Sequence, residues 1–210
     1  MQAAIILSGI LGVLLIGAMS PGPSFVLVAR TSIALSRRDG LAAALGMGLG
    51  AVVFATLVLF GLQALLTRIA WLDTGLRLVG GAYLIYLAVR LWRSARDTIA
   101  VPATDAARAT SGRRSFAVAL ATQLSNPKTA LFYASIFATL LPAQPPAWLL
   151  GALPPLIFLV EAGWYSLVAL AFSSGRPRAA YLRAKAAIDR TAGVVMGGLG
   201  LRLIVSAASP

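Results

Sequence analysis

Hydrophobic residues along this chain gather into six long runs, 1–29, 40–66, 74–91, 116–141, 148–172 and 188–205, separated by short polar or basic connections. Each run holds about 18 residues or more. At ~1.5 Å of rise per residue that is enough to cross a hydrocarbon layer ~30 Å thick. The pattern predicts an all-α membrane protein with six transmembrane helices and no sizeable extramembrane domain. The longest polar interval, 94–112, is rich in Ala, Thr, Asp and Arg and has little apolar periodicity. It reads as a flexible linker, dividing the chain into a first three-helix half (1–93), a linker (94–114) and a second half (115–210).

A weak internal repeat supports the division. Ser20-Pro21-Gly22-Pro23 in the first run corresponds to Ser125-Asn126-Pro127-Lys128 in the fourth, followed by Phe25 and Phe132 respectively. Asp73 precedes Gly80-Gly81 much as Asp189 precedes Gly197-Gly198. Three spans per half would make the second copy run opposite to the first, so the expectation is two inverted three-helix repeats.

Composition agrees with a lipid solvent: 59% of residues are hydrophobic and 11% charged, with a mean hydropathy of +0.87. The formal charge of +12 would suggest nucleic-acid binding if taken alone. Its distribution argues against that partner, because the basic residues fall between hydrophobic runs, where they meet anionic lipid or cytoplasm. Arg30, Arg37 and Arg38 lie in the first connection, and Arg93, Arg96, Arg108, Arg113 and Arg114 in the third. Arg176, Arg178, Arg183 and Lys185 lie in the fifth. The second sets Arg68 against Asp73, and the fourth, 142–147, carries no charge. The positive-inside rule then places the odd connections in the cytoplasm and both termini outside it, in a bacterial inner membrane. The first run lacks the basic start and small-residue cleavage site of a secretory signal and is expected to remain as a span. With no Cys and no His, disulfides, thiol chemistry and histidine-based metal sites or bases are excluded, and no metal or organic cofactor is called for.

Two charges lie deep within the runs. Glu161 sits about halfway along 148–172, where an uncompensated carboxylate costs at least ~2.5 kcal/mol. It should face a polar cavity, pair with a cation or hold a proton, which makes it a candidate for binding a substrate ammonium or carrying a coupled proton. Lys128 lies about 14 residues from either end of its run, roughly 20 Å along an unbroken helix, too far for its ammonium to reach an interface easily. It is placed to attract a substrate carboxylate, neutralise Glu161 or move between those partners; a fixed internal ion pair is the structural alternative. Pro21-Gly22-Pro23 and Asn126-Pro127 remove backbone donors and permit local unwinding, freeing main-chain groups to hold a zwitterion. Pro154-Pro155 predicts a kink before Glu161. Trp164 and Tyr165, one turn beyond it, and Tyr83 and Tyr86 are candidates to line the path or simply to pack. The small-residue faces Gly46-x-Gly48-x-Gly50 and Gly193-x-x-x-Gly197 read as tight helix crossings, within the chain or between two copies in a homodimer.

At these residues the chain resembles the LysE/RhtB family of amino-acid exporters, and within it the homoserine/threonine-export-like branch. Ser20-Pro21-Gly22-Pro23, Gly80-Gly81-Ala82-Tyr83-Leu84-Ile85-Tyr86, Asn126-Pro127-Lys128 and Gly197-Gly198-Leu199-Gly200 occur in the family's order and span nearly the whole chain. The resemblance implies an inner-membrane exporter of small amino acids or derivatives driven by proton antiport. It carries binding or gating roles onto Pro21, Gly22, Pro23, Asn126, Pro127 and Lys128, and more weakly onto Tyr83 and Tyr86. Glu161 as the coupling residue rests on its depth. A passive channel and a non-transporting assembly subunit are the alternative functions, and an enzyme is disfavoured for want of an acid–base constellation.

Overall fold

The computed structural model describes residues 2–66, 70–97, 111–142 and 144–208. These residues form eight helices: α1 (Gln2–Met19), α2 (Pro23–Ala34), α3 (Arg37–Leu66), α4 (Ala70–Ser94), α5 (Gly112–Leu124), α6 (Pro127–Leu140), α7 (Ala147–Phe172) and α8 (Gly175–Ala208). The all-α expectation holds, but that of six spans in two inverted three-helix repeats does not. Four helices, α3, α4, α7 and α8, are long and apolar enough to cross a membrane, and a fifth crossing is available only if α1 and α2, bent by 58°, count together. The fourth hydrophobic run is divided into α5 and α6, of 13 and 14 residues, each ~20 Å long and short of the hydrocarbon thickness. Most of the expected linker, 98–110 with Arg108, lies outside the described residues, as do Arg68 and the side chain of Asp73.

Both interruptions arise from local chemistry. Gly22 is extended and Pro23 opens α2 at its first turn, where a missing N–H removes no helical hydrogen bond. Asn126 is likewise extended ahead of Pro127, as the residue before a proline prefers. The Asn126 side-chain oxygen accepts the backbone N–H of Lys128 at 3.1 Å, capping α6. Pro154 and Pro155, in contrast, lie within an uninterrupted α7.

Helix packing depends on small residues. A Cβ at Gly81 would lie 2.8 Å from the Gly200 carbonyl oxygen, and one at Gly200 would lie 2.7 Å from that of Gly81, so α4 and α8 meet backbone to backbone. Gly193 faces the Ala88 carbonyl in the same crossing. On α3, Gly46 and Gly50 admit α5, whereas Gly48 admits Ala162 of α7, next to Glu161. Both glycine faces are therefore used within the chain. Gly200→Val is expected to destabilise the protein by about 1–3 kcal/mol through overpacking. Gly12→Ala, where an added Cβ meets nothing within 4 Å, should leave the detergent melting temperature unchanged, and thermal unfolding of the two variants checks the contrast.

Among the described residues, the buried apolar side chains form two clusters. One joins Ile10, Leu84, Tyr133, Ile157 and Met196; the other joins Phe25, Met47, Ala119, Tyr165 and Phe172. Glu161 falls on α7 between Ile157 of the first and Tyr165 of the second, so the polar site lies where the two apolar clusters meet.

The basic connections converge at one end of the bundle. Lys185 near the start of α8 donates to the Ser94 carbonyl at the end of α4, and Ser115 on α5 donates to Asp39 on α3. The Tyr181 hydroxyl donates to the carbonyl of Met19, which ends α1. Since α1 runs toward this end and α8 away from it, the start of α1 and the end of α8 lie toward the opposite end.

Candidate functional site

Glu161 is buried, with 4% of its surface exposed. The Tyr133 hydroxyl of α6 donates to its Oε1 at 3.1 Å, while Oε2 has no hydrogen-bond partner among the described residues. A buried carboxyl with a free oxygen is unfinished chemistry, because that oxygen can take a proton, a water or the N–H of an ammonium.

A short polar chain faces it across a pocket. Ser24 near the start of α2 donates to Gln123 Oε1 of α5 at 2.6 Å and accepts from Asn126 Nδ2 at 3.3 Å. These residues join Gly22, Pro23, Lys128, Tyr165 and Glu161 around one cavity, with space for water-molecule centres of ≈ 40 Å³. At ~10–15 Å³ per water centre it admits roughly three waters and no amino acid. The first turns of α2 and α6 both border it, so two helix N-termini bring their partial positive charge to one polar space, with the Lys128 and Thr129 amides of α6 already held by Asn126.

A second cavity, with ≈ 270 Å³ of the same space, adjoins the first and shares Gly22, Pro23 and Lys128 with it. Its other walls include Pro21, Arg90, Asp97, Lys185 and Asp189, which carry it to the basic end of the bundle. Lys185 and Asp189 are paired at 2.9 Å on successive turns of α8. Ser20, also on the inner pocket wall, donates to the other Asp189 oxygen at 3.1 Å. Lys128 stands at the junction of the cavities and has no ion pair within 4.0 Å among the described residues. A Cβ at Gly22 would lie 3.3 Å from its Nζ, so the glycine leaves room for the ammonium beside the α1–α2 break.

Ser20, Gly22, Pro23, Asn126, Lys128 and Glu161 thus share the inner pocket, and Pro21 borders the outer cavity. Pro127 heads α6 without reaching either. Trp164 lies outside both walls, its ring 6.4 Å from that of Tyr181 and its buried Nε1 without a partner among the described residues. Tyr83 and Tyr86 contact each other at 6.1 Å, also away from both cavities, and Tyr86 is exposed on the surface of α4. Sequence reasoning did not single out Ser24, Gln123, Tyr133 or Arg90, and read Asp189 only as part of a repeat. The Lys185–Asp189 pair has a linear signal in its four-residue spacing.

A family model described as LysE type translocator matches residues 15–207. The chain belongs to this family. Among its relatives, the threonine efflux protein of Escherichia coli (strain K12) is 32% identical over 194 residues, covering 91% of this chain and 94% of that protein. The uncharacterized membrane protein YahN of the same organism is 35% identical over 195 residues, covering 92% and 86%. The homoserine/homoserine lactone efflux protein of Salmonella typhimurium is 33% identical over 128 residues, covering 60% and 61%. No solved structure matches significantly. Membership in the family makes this a translocator and not an enzyme, a multi-pass protein of a bacterial inner membrane.

Proposed function

We propose that the chain is a secondary active exporter of small amino acids or amino-acid derivatives that works by proton antiport. The observation that carries this reading is the convergence of two helix N-termini and a buried carboxyl with a free oxygen on one pocket. An α-amino acid needs such a pair of poles. Each helix terminus contributes about 0.5–2 kcal/mol toward a carboxylate in a partly buried setting, and Glu161 is the acceptor for the ammonium or for a proton. Because one carboxyl oxygen cannot serve both at once, binding of substrate and binding of a proton compete, which is the elementary condition for exchange. The efflux names of relatives that cover most of this chain favour the same direction of transport.

The pocket as it stands admits only a few waters, so passage requires a rearrangement that widens it and opens it to one side at a time. The helix breaks at Ser20–Gly22 and Ser125–Asn126 are the places where backbone hydrogen bonding is already interrupted. In this reading the basic end faces the cytoplasm, where its arginines meet anionic lipid, and both termini face outside.

Purified protein in sealed vesicles loaded with one amino acid is expected to take up the same labelled amino acid by saturable counterflow, with substrate-linked movement of protons. Non-saturable flux without proton movement would instead identify a channel. Absence of flux across a panel of threonine, homoserine, homoserine lactone and leucine would reject the exporter.

A further inference from the structure

The outer cavity holds more charge than its own ion pair consumes. Lys185 is neutralised by Asp189 at 2.9 Å and held by the Ser94 and Ala95 carbonyls at 2.7 and 3.4 Å, while Ser20 takes the other Asp189 oxygen. These groups form a satisfied wall. Three charges remain on the lining: Arg90 from α4, Lys128 from the first turn of α6, and Asp97 just beyond α4. None of the three has an ion pair within 4.0 Å among the described residues.

We propose that this cavity is a separate receiving site for a zwitterionic α-amino acid, occupied before the inner pocket, with the substrate carboxylate between Arg90 and Lys128 and its ammonium toward Asp97. The inference rests on the export reading and adds a second binding position to it. Two cations facing one space attract a carboxylate, and a guanidinium offers it a paired set of donors. Asp97 in the same cavity opposes a multiply charged anion and accepts an ammonium. Size separates the two positions, since ≈ 270 Å³ of water-centre space is available here against ≈ 40 Å³ in the inner pocket. Lys128 borders both, so its ammonium can keep hold of the carboxylate as the substrate passes inward beside Gly22. Arg90 and Asp97 border only the outer cavity, and their contribution belongs to capture rather than to the translocation step.

The test uses full-length protein in vesicles with L-threonine as probe, alongside threoninol, which lacks the carboxylate, and N-acetyl-L-threonine, which lacks the ammonium. Arg90→Gln and Asp97→Asn should each raise the KM for threonine by about 5- to 10-fold with kcat within about twofold, the signature of lost capture. Arg90→Lys should recover part of the loss. Inhibition of threonine uptake by threoninol should be insensitive to Arg90→Gln, and inhibition by N-acetyl-L-threonine insensitive to Asp97→Asn. An unchanged KM, a fall in kcat alone, or equal effects on both analogues in both variants would overturn the receiving site while wild-type transport stands. Absence of saturable uptake by the wild type for any amino acid tested would overturn the export reading and this site with it. Both side chains are exposed, so the variants are expected to fold, and thermal unfolding in detergent confirms it.

Discussion

Glu161→Gln is expected to abolish substrate-linked proton movement in vesicles while leaving a measurable exchange of substrate for substrate. Glutamine is nearly the same size and keeps an oxygen to accept the Tyr133 hydroxyl, so the contact that orients the side chain at 3.1 Å survives. What disappears is the carboxyl group's ability to alternate between a bound proton and a negative charge. A concentration gradient of amino acid should then dissipate more slowly than in the wild type, because an amide NH2 replaces the free oxygen that accepts the ammonium, and should no longer be built by an imposed pH gradient. Tyr133→Phe provides the comparison, because it removes only the donor to Oε1 and should slow exchange without uncoupling it. If Glu161→Gln retains full substrate-linked proton movement, the coupling assignment is wrong even though family membership is unaffected. If flux vanishes in a variant that unfolds at the wild-type temperature, the carboxylate is essential for holding the ammonium, and proton coupling must be sought elsewhere in the pocket.

The features legible in the sequence were those set by a few adjacent residues. Pro21-Gly22-Pro23 and Asn126-Pro127 mark their helix breaks because a proline dictates the conformation of its neighbour whatever the surroundings. Glu161 and Lys128 stand out because charge in an apolar run demands compensation. The number of crossings was not legible: hydropathy measures composition and is blind to whether the helix carrying it continues, which is why 116–141 reads as one span and folds as α5 and α6. The partners of the deep charges were hidden for another reason. Ser24 reaches Gln123 across 99 residues and Asn126 across 102, and no local period encodes such contacts. On α7 the choice between neighbours was beyond pattern as well. Trp164 and Tyr165 stand three and four residues after Glu161, and both spacings fall on roughly its side of the helix. The structure puts Tyr165 on the pocket wall and turns Trp164 toward Tyr181.

Lys128→Met is expected to lower kcat/KM for amino-acid exchange by about 100-fold, equivalent to ~2.7 kcal/mol. The magnitude follows from the position of the ammonium. It is the one cation that borders both cavities among the described residues, and it has no protein ion pair there to satisfy it, so its charge is available to the substrate. A substrate carboxylate entering a pocket this poor in water exchanges its hydration for whatever donors it meets. The α2 and α6 N-termini supply partial charge, but Lys128 supplies a full one. Methionine fills nearly the same volume, so the loss should appear in transport rather than in stability. Removing an uncompensated charge from the interior should leave the melting temperature equal to or above that of the wild type. Amino alcohols, which have no carboxylate, should lose much less. Gly22→Ala probes the same ammonium from the opposite side, since the added methyl would sit 3.3 Å from Nζ and force it to shift. Steady-state exchange of threonine and threoninol by the two variants decides the matter. Equal losses for both substrates in Lys128→Met would mean that the lysine shapes the passage without recognising a carboxylate.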